Sequence, residues 1–290
     1  MAVVAPSGPA VDEDRVRRGA AVLEGLGLRV VLGAHARDAA GYLAGADQDR
    51  AADLLDALER PDVDAVIALR GGYGALRTVL ALDPGRLSAL ADVAPKPVVG
   101  VSDTTGLHAV LGRAAGWVTF HGPGVTSLAT ATPSAIEALR EALCDAGPVA
   151  VDGAPVLPGR AEGILVGGCL SLVASLLGTP WALDLDGAVL LLEEVDERPY
   201  AVDRMLTSLL AAGALERVAG VVLGAFTRCE AGGPGPTVDE VLRERLAPLG
   251  VPVLAGLPVG HERDAVTLPL GVRAVVDADG GRLEVAGGVG

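Results

Sequence analysis

The stretch Pro97-Val98-Val99-Gly100-Val101-Ser102-Asp103-Thr104-Thr105 decides the fold of this chain. An apolar run stops at a serine, and the helix-like segment Gly106-Leu107-His108-Ala109-Val110-Leu111 follows. Strand, sharp turn and helix in that order push a serine hydroxyl out at the top of a sheet, with the next backbone N–H facing the same space. The pattern departs from G-x-S-x-G, because Thr104 stands where the second glycine would be. Taken alone, it also fits a serine that only caps a helix.

Outward from this point, short apolar runs alternate with amphipathic stretches. Val3 to Ala5, Arg29 to Leu32, Ala65 to Leu69, Pro97 to Val101 and Val118 to Phe120 read as strands. Runs without polar alternation are expected of strands covered on both faces. Glu13 to Leu26 and Ala46 to Leu58 have helical periodicity. Strands alternating with helices predict right-handed crossovers and a parallel sheet, so the class is α/β. The segment Ala146 to Arg160 is rich in proline and glycine and lacks helical periodicity, which suggests a domain boundary. The expected domains are residues 1–150 and 160–290. The second block has strands near Ala188 to Leu192, Gly220 to Leu223, Val251 to Leu254, Arg273 to Val276 and Arg282 to Val285. Its helices are near Leu170 to Leu177, Ala201 to Leu210 and Val238 to Leu246.

Composition narrows the function classes. The chain has 290 residues and a formal net charge of −14, which argues against a nucleic-acid partner. Cys144, Cys169 and Cys229 are odd in number and far apart, disfavouring a disulfide framework or a zinc site. No signal-peptide pattern opens the sequence and no uncharged run approaches membrane-spanning length. These features predict a cytoplasmic protein with no membrane partner.

A hydrolytic serine needs a base, and the base needs an orienting carboxylate. The four histidines are His35, His108, His121 and His261. His121 and His261 each follow an apolar run, as sites in α/β folds do; spacing alone does not choose between them. Glu193 ends the apolar run Ala188-Val189-Leu190-Leu191-Leu192 and reads as a carboxylate delivered by a buried strand. Glu194, Asp196 and Glu197 read better as a solvated acidic loop. Arg70-Gly71-Gly72-Tyr73-Gly74 follows a strand, and its glycines suit an anion nest or oxyanion hole. It matches neither dinucleotide nor mononucleotide phosphate loops, which disfavours a nucleotide-binding oxidoreductase.

Ala5-Pro6-Ser7-Gly8, Leu69-Arg70-Gly71-Gly72-Tyr73-Gly74, Gly100-Val101-Ser102-Asp103, Gly163-Ile164-Leu165-Val166-Gly167-Gly168, Leu192-Glu193-Glu194, Pro199-Tyr200-Ala201-Val202-Asp203-Arg204-Met205-Leu206 and Gly260-His261 occur in one order. That order resembles the LD-carboxypeptidase family of serine peptidases (family S66) over essentially the whole chain. The resemblance implies a Rossmann-like N-terminal domain and a C-terminal domain with a β-barrel-like mixed sheet and helices. It implies Ser102 as nucleophile, Glu193 as orienting acid and His261 as base, and so resolves the choice among histidines. It further implies an oxyanion hole from the backbone of Asp103 with Gly71 or Gly72, no cofactor or metal, and a homodimer.

The implied reaction is release of D-alanine from the L,D bond of a cytoplasmic murein tetrapeptide. A related branch hydrolyses microcin C-type acyl-sulfamoyl adenylates, using a longer insert with a stacking aromatic between serine and glutamate. The interval here is short, although Trp117 and Trp181 lie within it. A catalytically silent binder of murein fragments is a third reading, opposed by the intact set of three residues. A peptide carboxylate calls for a cation: Arg70, Arg198 and Arg204 are candidates, with Tyr73 beside the first. Arg204 could instead pair with Glu197 or Asp203.

Overall fold

A computed structural model describes residues 1–230 and 232–289. The strands in chain order are β1 (Ala2–Val4), β2 (Val31–Leu32), β3 (Val66–Ala68), β4 (Val98–Gly100), β5 (Thr119–His121), β6 (Val149–Asp152) and β7 (Ala154–Leu157). They continue with β8 (Arg160–Cys169), β9 (Val189–Val195), β10 (Gly220–Thr227), β11 (Val253–Ala255), β12 (Leu268–Leu270), β13 (Arg273–Asp277) and β14 (Arg282–Val285). Two sheets result.

The first sheet has the order β12-β5-β4-β3-β1-β2, parallel except for β12. Alternate side chains leave each strand on opposite faces. Val4, Val66 and Val98 pack with Leu54, Leu58, Leu107 and Val110 on one side. Val3, Ile67, Val99 and Phe120 pack with Val16, Leu23, Val125 and Leu139 on the other. Helices therefore cover both faces, which is why these strands carry no polar alternation. The strand order reverses between β1 and β3. In open α/β sheets, ligands bind outside the carboxyl ends of the strands at such a switch point.

The second sheet is mixed, with order β6-β14-β13-β8-β9-β10-β11-β7. Its two edge strands, β6 and β7, are consecutive in the chain, so the sheet curls towards closure. Val151, Leu165, Val189, Leu191, Val222, Leu254, Val276 and Leu283 converge inside it. Leu190, Leu192 and Val221 face outward and pack under the helices Pro199–Ala211 and Val238–Leu246 through Val202, Leu206 and Leu242.

Sequence patterning gave no element between Ala146 and Arg160, yet β6 and β7 lie there. Half-exposed short edge strands that admit Pro155 leave a weak pattern. The helices Ala75–Leu80, Pro84–Ala89 and Pro133–Cys144 and the strand β12 are also additions of the structure. β12 leaves the second half of the chain to pair antiparallel with β5, and so ties the two sheets together.

Candidate active site

Ser102 begins a short turn directly after β4 and has φ +67°, left-handed backbone for a residue with a side chain. Such strain costs about 1–3 kcal/mol and persists only where its surroundings enforce it. Thr104 folds back against Gly100: a Cβ on Gly100 would lie 2.5 Å from Thr104 Cγ2. Space that a second glycine supplies in the usual motif is supplied here by the first one. The next residue, Asp103, is buried, and its carboxylate accepts the Ala75 N–H at 2.7 Å. Burial pushes that carboxyl above the usual carboxylate range. Asp103 thus fastens the serine turn to the loop of Gly71 to Gly74, a role its sequence position does not disclose.

That loop is pressed against the serine. A Cβ on Gly71 would fall 2.8 Å from Ser102 Cβ and 3.2 Å from Ser102 Oγ. Gly8, after β1, donates its N–H to the Gly71 carbonyl at 3.3 Å, at the reversal of strand order. A cleft of about 600 Å³ opens there, lined by Gly8, Pro9, Val11, Tyr42, Arg70, Gly72 and Tyr73. Arg70 is half-buried and donates to the Pro9 carbonyl at 3.3 Å. Tyr73 is exposed and meets Tyr42 with ring centroids 5.7 Å apart. Arg204 lies elsewhere, over the Tyr200 ring at 6.0 Å. The ion pair suggested for it with Asp203 does not form, because Asp203 binds Arg245 at 2.6 Å.

Glu193 and Glu194 are neighbours on β9 and point to opposite faces of the sheet. Both are buried, so Glu194 is not the solvated loop acid expected from its run of charges. It accepts the Ser171 N–H at 2.7 Å, the Val195 N–H at 2.9 Å and the Cys169 thiol at 3.2 Å. Glu193 is fully buried on the inner side and binds His261 Nδ1 through Oε2 at 2.7 Å. Gly260, at φ +126°, makes the approach possible: a Cβ there would lie 2.7 Å from Glu193 Oε2. Burial raises the Glu193 pKa, and the His261 hydrogen bond opposes that rise. At His261 burial works downward, but the hydrogen bond and charge of Glu193 outweigh it, and the net shift is upward.

Contacts between the sheets bring these parts together. Cys169 N, paired in register with Glu193, donates to Thr105 Oγ1 at 3.1 Å, one turn beyond Ser102. Arg263, two residues past His261, donates from Nε to the Thr130 carbonyl at 2.6 Å. Among the described residues no hydrogen bond joins Ser102 Oγ to His261, and such contacts often tighten only with substrate bound.

The other histidines are occupied differently. His35 sits at the surface, with Nδ1 2.9 Å from Asp38. His108 Nε2 donates to the Gly100 carbonyl at 2.9 Å and braces β4 beneath the serine turn. Burial lowers the His108 pKa to about 4 and that of His121 to about 3. Both are therefore neutral when folded but take up protons below about pH 6.5 when unfolded. The unfolded state then binds more protons, so stability rises with pH across that window and falls on acidification. Melting temperature is expected to drop steeply from pH 6.5 towards 4, and the drop to flatten in His108→Gln. An equally steep drop in that variant would contradict this assignment.

Comparison with known proteins fits this geometry. Residues 1–122 match the LD-carboxypeptidase N-terminal domain and residues 162–276 the LD-carboxypeptidase C-terminal domain. The chain belongs to the LD-carboxypeptidase family. A murein tetrapeptide carboxypeptidase of Pseudomonas aeruginosa is 34% identical over 291 residues, covering 96% of this chain and 93% of its own. The crystal structure of a muramoyltetrapeptide carboxypeptidase from Oxalobacter formigenes superimposes with a TM-score of 0.86 at 32% identity, covering 99% of each chain. The microcin C7 self-immunity protein of Escherichia coli has the same fold, with a TM-score of 0.87 at 24% identity, covering 98% of this chain and 95% of the other. No helix among the described residues of this family member is long and apolar enough to cross a membrane.

Proposed function

We propose that this chain is a serine L,D-carboxypeptidase that removes terminal D-alanine from a murein tetrapeptide. The observation that carries the reading is the buried Glu193–His261 hydrogen bond of 2.7 Å, in a chain that also holds Ser102 in left-handed backbone after β4. His261 Nδ1–H faces Glu193, which leaves Nε2 as the base. It takes the Ser102 proton as Oγ attacks the scissile carbonyl. The oxyanion forms against the Asp103 N–H and an N–H of the Gly71–Gly72 turn, whose position against Ser102 supports that role. His261 then protonates the leaving D-alanine amine, and water resolves the ester by the same route. The nucleophile comes from residues 1–150 and its base from residues 160–290, so catalysis depends on the contacts that join the two sheets.

Arg70 lines the cleft that continues from Gly71, and we assign it to the terminal carboxylate of the peptide. The buried, unpaired cysteines Cys169 and Cys229 fit a reducing compartment.

Hydrolysis of an acyl-sulfamoyl adenylate is the second reading. The exposed Tyr42–Tyr73 pair in the cleft is the observation that favours it, since such rings can stack on a base. Trp117 offers no such surface: it is buried and donates Nε1–H to the Leu90 carbonyl at 3.2 Å. The deciding experiment incubates the protein with L-Ala-γ-D-Glu-diaminopimelate-D-Ala and follows mass. Loss of one alanine is the expected result; an intact peptide beside a hydrolysed acyl-sulfamoyl adenylate would establish the second reading.

A further inference from the structure

His121 has no task in the mechanism above, yet it is placed as though it had one. It ends β5 opposite Gly100 of β4 and is 1% exposed. Neither ring nitrogen has a hydrogen-bond partner. Glu193 Oε1 also lacks a donor, and it lies 3.6 Å from His121 Nε2. Orphaned buried polar groups are rare in folded chains. Here one orphan can donate, the other can only accept, and they face each other across a gap that a small ring movement closes.

We propose that His121 is a positioning residue: as the neutral Nε2–H tautomer it donates to Glu193 Oε1, so the carboxylate is held at both oxygens while Oε2 orients His261. The inference rests on the reading of Ser102, His261 and Glu193 given above. The donor count is consistent. A neutral imidazole protonated at Nε2 leaves Nδ1 as an acceptor. His121 Nδ1 and Thr105 Oγ1 crowd the same space, 3.2 and 2.5 Å from where a Gly168 Cβ would stand. Thr105 Oγ1 already accepts the Cys169 N–H, so its own proton is free for His121. With both His121 bonds made, a chain of donors would run from β8 through the helix after Ser102 to β5 and on to Glu193; its first link, Cys169 N–H to Thr105 Oγ1, is already in place. The groups facing His121 are His108, with rings 6.4 Å apart, Glu193 and, beyond it, His261; Glu194 and Cys169 lie behind Glu193 on the outer side of the sheet. Burial, with the neighbouring His108 and His261, keeps His121 uncharged.

The test compares the pH dependence of kcat/KM for D-alanine release in wild type, His121→Phe and His121→Gln. Without the donor, the Glu193–His261 pair holds its proton more tightly. The acidic limb in His121→Phe is therefore expected to move to higher pH by about one unit, the effect of losing a hydrogen bond to a charged group. His121→Gln, which can again present an N–H near the Nε2 position, is expected to bring it back. A residue that only fills space would lower the rate and leave the limb in place, and that result overturns the proposal. Spectra of wild-type protein carrying 15N-histidine test it without substrate or mutation. With its pKa lowered by burial to about 3, His121 is expected to be neutral and protonated at Nε2 alone from about pH 5 to about 8; protonation at Nδ1 overturns the proposal even where the triad reading stands.

Discussion

Ser102→Ala is expected to abolish D-alanine release, with kcat reduced about a million-fold, and His261→Ala to cost nearly as much. The two losses should not add. Nucleophile and base act as one unit, so removing either leaves only the oxyanion donors and substrate binding. The double variant is therefore expected to be no slower than Ser102→Ala. Both singles should fold, since Ser102 is half-buried and His261 lies at the rim of the buried pair. A fluorophosphonate probe should label wild type and fail on Ser102→Ala. Labelling that persists in the variant, or turnover within tenfold of wild type, would remove Ser102 from the mechanism; a wild type that neither takes the label nor releases D-alanine would return the protein to the class of silent binders.

Glu193→Gln carries the second large effect, about ten-thousand-fold in kcat. A glutamine must offer its amide N–H to one histidine and its carbonyl to the other. If the carbonyl takes the His121 N–H, the amide faces His261 Nδ1 and forces the tautomer whose Nε2 already carries a proton. Such an imidazole cannot accept from Ser102. Stability should move the other way. Burial raises the Glu193 pKa in the folded chain, so the charged carboxylate works against folding at pH 7, and a neutral amide that keeps a hydrogen bond removes that cost. Melting temperature at pH 7 is expected to be unchanged or higher while activity collapses. A variant that loses activity only because it unfolds would show a lower melting temperature, and calorimetry beside the rate assay separates the two.

Much of the first sheet is legible in the sequence because its inner strands β1, β3 and β4 are buried throughout and read as unbroken apolar runs. The run ending at Val101 marks both a strand and the abrupt turn after it. Elements at the margins were harder to read. Pro133–Cys144 opens with a capping threonine, Thr132, and a proline at its first position, a local signal that marks where a helix starts but not how long it runs. β6 and β7 are short edge strands with half their residues exposed, so no hydrophobic period marks them. Glu194 stands among acids, a pattern that predicts a solvated side chain, yet it is buried. Its burial follows from a backbone N–H of the helix Leu170–Ser175 and the Cys169 thiol, partners more than twenty residues before it in the chain.

By itself the sequence determined the α/β class, the serine turn after β4 and the short list of acids and histidines, because hydrophobic period and turn chemistry are local properties. Family likeness then singled out His261. Only the tertiary structure decided how these groups meet. Gly260 admits the Glu193 carboxylate to His261. Asp103 ties the serine turn to the glycine loop, and Cys169 and Arg263 join the two sheets around the site. The opposed orphans, His121 and Glu193 Oε1, stand 72 positions apart in the chain. A hydrogen-bond partner at that separation is fixed by how two sheets pack, and no local pattern encodes it.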